Sequence, residues 1–183
     1  MSLLSTILIL LAAILAVFAE VVWSAPRHFL GVQIDLLPSL MVYASLSGGL
    51  LTITSLAVVG GLAFDLLSEN PLGISLLPLF AIGFTIQQFR HLILRDQAFA
   101  QGVLGLGASA AMFVLTPLML VTFGWNPMIG LGSLWQWLVL SVAGAVMTPV
   151  CFRVLDALTG ALSYHKWHET SFRPDRQIQR GRH

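Results

Sequence analysis

Residues 36–64 read LLPSLMVYASLSGGLLTITSLAVVGGLAF, 29 residues without a charge. As one helix they would extend about 44 Å at 1.5 Å per residue, well beyond the roughly 30 Å of a bilayer's hydrocarbon core. The chain must therefore turn inside the run. Ser47-Gly48-Gly49 is the natural place, because paired glycines form helices poorly and permit a tight reversal. The piece before the break is short and reads as a span beginning near Phe29 or as a re-entrant segment.

Working outward, Leu3 to Val22 is a further apolar run. It precedes Ser24-Ala25-Pro26, which loosely resembles a processing site, but no Lys or Arg stands before it and Trp23 falls where a small residue is expected. It reads as a first transmembrane helix rather than a signal peptide. Asn70 to Phe89 makes another span, with Pro71 early in the helix and Arg90 at its end. The uncharged stretch Gln97 to Phe152 holds two more, divided by Gly124-Trp125-Asn126-Pro127. The expectation is an all-α, polytopic membrane bundle of about six transmembrane helices over residues 1–163, followed by a tail at 164–183. Composition agrees: 57% of the 183 residues are hydrophobic and 9% are charged, against about 25% charged in a soluble domain.

Basic residues gather in cytoplasmic loops. Arg90 and Arg95 lie between the fourth and fifth spans. Lys166, Arg173, Arg176, Arg180 and Arg182 follow the sixth. Two spans separate the clusters, so both face one side, and with six spans both termini are expected in the cytoplasm, leaving Arg27 outside. Arg90, Arg95, Arg173 and Arg176 become candidate cytoplasmic contacts. The tail carries five basic and two acidic residues, a net of +3, suited to an anionic leaflet or a cytoplasmic filament, although positive-inside topology explains it as well.

An ionisable group at membrane depth is a candidate functional site because stranding it there is costly. Glu20, Asp35, Asp65 and Glu69 all fall near the outer interface in this topology. Asp65 and Glu69, four apart, either share a helix face suited to a cation or acid/base work, or face water and cap the Asn70-Pro71 turn. Arg153 and Asp156 read as an interface pair. His165, His168 and Glu169 are a weak metal motif. Cys151 alone excludes a disulfide framework. No GxSxG, phosphate loop, HExxH or CxxC occurs, so an enzyme is a minority reading and no cofactor is expected.

Small residues stand out in the fifth span, where Gly102, Gly105, Gly107, Ser109 and Ala111 place Gly105/Ser109 and Gly107/Ala111 four apart. Such pairs let membrane helices approach closely. They serve either packing within the bundle or docking of another protein's helix.

The segment from Val32 to Tyr43, a glycine-containing helix, and then Gly61-Leu62-Ala63-Phe64-Asp65-Leu66-Leu67-Ser68-Glu69-Asn70-Pro71-Leu72-Gly73 together resemble MreD, a small multi-span protein of the bacterial rod-shape system. The telling pattern, a helix ending in G-x-x-x-D-L-x-S followed by a polar turn and P-L-G, falls on Gly61, Asp65, Leu66, Ser68, Pro71, Leu72 and Gly73. The specific part covers about residues 35 to 90; the later helices agree in hydropathy, and the tail has no counterpart. Asp35 is followed by Leu-Leu-Pro where the family more often has a proline directly before the acidic residue.

The resemblance implies a non-enzymatic inner-membrane component of the elongation complex that binds and positions MreC and so supports lateral peptidoglycan synthesis and cell shape. RodA and a class B penicillin-binding protein are further implied partners, with the lipid bilayer as surroundings and no nucleic acid. It also implies a fold similar to the substrate-binding subunits of energy-coupling-factor transporters. The rival reading is such a subunit itself, binding a vitamin through Gln87, Gln88, Thr52, Thr54 and Ser55. A third, an intramembrane enzyme, needs two of Asp35, Asp65 and Asp156 to converge.

Overall fold

The computed structural model describes residues 3–22, 31–68, 71–93, 97–125 and 130–167. Among these the secondary structure is helical: α1 (Leu3–Val22), α2 (Leu37–Ser47), α3 (Leu50–Leu67), α4 (Leu76–Phe89), α5 (Ala98–Thr122) and α6 (Leu131–Trp167), with one 3-10 turn at Arg90–Leu92. Four of them, α1, α3, α5 and α6, are long and apolar enough to cross a membrane. The 11 residues of α2 and the 14 of α4 extend only about 16 and 21 Å.

The charge-free run breaks where the glycines stand. Gly48 leaves α2 extended, at φ −106°, and Gly49 enters α3 at φ −108°. The Arg90 guanidinium donates to the Gly48 carbonyl at 3.3 Å, so the end of α4 stitches a carbonyl that α2 leaves open at its C-terminus.

Sequence explains why α2 can be so short. It is apolar on all sides, and nine of its residues, Leu37 to Ser45, are buried; a helix of that kind belongs at the centre of a bundle. It packs against each of the other five helices. The inward face of α1 is a single stripe, Ile9, Ala13, Val17 and Glu20, while Ile7, Leu11, Ile14 and Phe18 face out, as a period of 3.6 demands.

Directions follow from contacts between helix ends. Thr6 and Thr52 share a hydrogen bond at 3.2 Å near the starts of α1 and α3. Glu20, late in α1, accepts from the amide of Leu36 just before α2 at 2.6 Å. Asp65, late in α3, meets the entry to α4. Successive helices therefore alternate in direction, and α1 begins at the end of the bundle towards which α6 runs. The end where α1, α3 and α5 finish carries Glu20, Asp35 and Asp65; the other carries Arg90, Arg153 and Asp156.

One sequence expectation needs correction. Helix α4 starts at Leu76 rather than near Asn70, because Gly73 turns the chain with φ +92° and residues 71–75 form turns first. Gly73 takes a left-handed backbone state that disfavours any side chain. The Oδ1 of Asp156 accepts from the Tyr43 hydroxyl at 3.0 Å, a tie between α2 and α6 that sequence separation conceals.

Candidate functional site

The motif residues Gly61 to Gly73 fold into the corner between α3 and α4. Asp65 is 2% exposed, and its Oδ2 accepts from the amides of Gly73 at 2.7 Å and Ser75 at 3.3 Å. Ser75 is the N-cap position of α4, where helix amides lack partners and the dipole favours an anion. One turn earlier, a Cβ on Gly61 would sit 3.0 Å from the Leu76 Cα, so the missing side chain lets α4 start hard against α3. Gly61, Asp65 and Gly73 thus build the corner.

Of the other motif residues, the two leucines face away from it. Leu66 is 69% and Leu72 65% exposed, while Pro71 and Ser68 are half-buried. Glu69, expected as a partner of Asp65, lies outside the described residues. Asp65 fills the capping role rather than that of a free carboxylate, although the amides it serves lie beyond Asn70-Pro71.

A second acidic cluster lies at the entry to α2. The Asp35 Oδ1 accepts from the Leu37 amide at 2.9 Å, next to the Glu20 bond to Leu36. Burial pushes the Asp35 carboxyl up to about 6, with the Leu37 amide opposing in part. Glu20 is 8% exposed, and sequence reading, which placed it near the interface, gave no signal of its through-space bond to α2.

Between α2, the end of α3, α5 and α6 lies a cavity of about 770 Å³. Phe64, Met112, Phe113, Leu118 and Leu140 are part of its apolar wall, and Gln33, Asp35, Ser133 and Gln136 are polar members of the lining. The vitamin-binding candidates Gln87, Gln88, Thr52, Thr54 and Ser55 are not among the lining residues. Thr52 bonds Thr6 instead, and Thr54 returns its hydroxyl to the Leu50 carbonyl.

The small residues of α5 divide. A Cβ on Gly105 would collide with the Thr148 hydroxyl and the Gly144 carbonyl, and one on Gly144 with the Ser109 hydroxyl. Gly102 approaches the Ala145 carbonyl, and Ala111 packs against the core. These residues therefore pack α5 on α6 and the core within the chain, which is the more extensive helix pairing of the fold. Gly107 has open space around its Cα.

Of the basic candidates, Arg90 closes the α2 end as above; Arg95, Arg173 and Arg176 lie outside the described residues, as do His168 and Glu169. No group of three or more metal-ligating side chains occurs among the described residues. Asp156 sits at the opposite end of the bundle from Asp35 and Asp65, so the carboxylates do not converge across it. Comparison with family profiles, with curated proteins and with solved structures gives no match.

Proposed function

We propose that the chain is an MreD-like, non-enzymatic component of a bacterial inner membrane, which binds an MreC-like membrane protein and positions it for lateral peptidoglycan synthesis. The observation that carries this reading is the α3–α4 corner. Its hidden residues, Gly61, Asp65 and Gly73, hold a stiff turn, and its visible ones, Leu66 and Leu72, present apolar side chains outward. A rigid turn with exposed leucines suits protein recognition, since ordering costs are met before the partner arrives.

In this reading the end bearing Glu20, Asp35 and Asp65 faces the periplasm, and the end bearing Arg90 and the tail faces the cytoplasm, following the positive-inside rule. RodA and a class B penicillin-binding protein join through the partner. Because Gly105 and Ser109 are used against α6, the partner's helix takes another surface than the one their sequence pattern suggests.

The test is capture of the tagged full chain from its native membrane in mild detergent, followed by mass spectrometry. Recovery of an MreC-like protein, reduced severalfold by Leu72→Asp at unchanged thermal stability, supports the reading. Recovery of an ATPase pair with a membrane coupling subunit replaces it with the transporter reading, which the cavity beside α2 favours.

A further inference from the structure

The cavity beside α2 is mainly apolar with polar side chains gathered at one end, and this carries an inference beyond the scaffold reading. Its volume of about 770 Å³ falls in the range of about 300–1,000 Å³ typical of small-molecule sites. The wall from α5 and α6 runs through Met112, Phe113, Leu118 and Leu140, successive turns of two helices that would flank a long aliphatic body. Gln33 and Asp35, just ahead of α2, and Ser133 and Gln136, in the first turns of α6, supply the polar groups. Both of these segments lie at the bundle end where α1, α3 and α5 finish, so these polar groups sit towards an interface, while the mainly apolar lining of α5 runs from there inward past Thr116 to Ser109.

We propose that this cavity binds a single-chain amphiphile whose head group donates hydrogen bonds and is not anionic, an amine or a hydroxyl, with the head at Asp35 and the chain along α5 and α6. Asp35 decides the sign of the head. Its Oδ1 is taken by the Leu37 amide, and its Oδ2 has no hydrogen bond among the described residues. That oxygen accepts from a donor and repels a carboxylate or phosphate. Glu20 lies close to Asp35, and no basic side chain occurs at this bundle end among the described residues. The raised proton affinity of Asp35 fits a carboxyl waiting for a donor.

Binding of tritiated dodecylamine to the full chain in lipid nanodiscs tests this, with dodecan-1-ol and dodecanoate as competitors. The expected result is saturable binding of one amine per chain, competed by the alcohol, with dodecanoate at least about tenfold weaker, the size of one charge-assisted contact. Asp35→Asn narrows the gap between amine and carboxylate, and Leu140→Trp, which fills the wall without touching the head site, removes binding of all three. Equal competition by dodecanoate, binding that never saturates, or binding untouched by Leu140→Trp overturns the proposal. Native mass spectrometry of the freshly extracted chain separates the sources: a retained hydroxyl- or amine-headed chain identifies a membrane lipid, and an empty chain that binds added dodecylamine identifies a free ligand. These readouts do not involve an MreC-like partner, so failure here leaves the scaffold reading standing, and the reverse.

Discussion

Asp65 reaches eight residues forward to accept the Gly73 amide at 2.7 Å, and this bond joins the end of α3 to the beginning of α4. Replacing Asp65 by Ala strands the buried Ser75 amide and the part-buried Gly73 amide, a loss of about 3 kcal/mol on the usual scale for a charged acceptor. Asp65→Asn keeps one acceptor and should cost about half as much. Thermal unfolding of the two variants in detergent checks the order; equal, small effects would show that the corner stands without the carboxylate.

Gly105 and Gly107 are two residues apart but face different surroundings. Gly105→Leu drives a side chain into Thr148 and the Gly144 backbone, an overpacking cost of about 3 kcal/mol, whereas Gly107→Leu enters open space and should leave stability unchanged. A chain in which both substitutions lower the melting temperature alike would contradict the α5–α6 packing. Loss of partner capture in Gly105→Leu would reflect this internal damage; loss in Gly107→Leu at full stability would mark the outer face of α5 as the contact.

Sequence made the helices legible and left the ties between them hidden. The Gly48-Gly49 break, the stripe of α1 and the long apolar runs of α5 and α6 follow from periodicity and glycine content, which are local. The burial of Glu20 and the bond from Tyr43 to Asp156 depend on helices 16 and 113 residues apart along the chain, and no local pattern encodes such pairs. Small residues in α5 announced close packing but not its partner, because a helix from the same chain and one from another chain demand the same absence of side chain. The late start of α4 is not encoded locally, because Asn70-Pro71 is a good helix entry on propensity alone, while the true entry is set by Gly73 and by a carboxylate in the preceding helix.

Tyr43 connects the central helix to α6 twice, by its hydroxyl to Asp156 and by its ring, which meets Phe152 edge-on at 4.9 Å between centroids. Tyr43→Phe removes the first tie and keeps the second, for an expected loss of about 1 kcal/mol. A double-mutant cycle with Asp156→Ala should return a coupling of similar size. Additive effects would show that the hydroxyl draws its stabilisation from other neighbours.

Asp35 gives the fold a pH dependence whose sign can be worked out. Its folded value of about 6 lies above the roughly 3.9 of an unfolded Asp, so the folded chain holds this proton more tightly than the unfolded one. Its contribution to stability is then complete below about pH 4 and is lost as pH rises to about 6, after which it is flat. Asp35→Asn, which cannot ionise, should remove that slope between pH 4 and 6 and be the more stable of the two at pH 7 provided the Leu37 amide keeps its acceptor. Unfolding measured across this range in wild type and variant checks the point: parallel curves would place the Asp35 carboxylate in contact with water, and a wild-type curve that rises with pH relative to the variant would reverse the assigned sign.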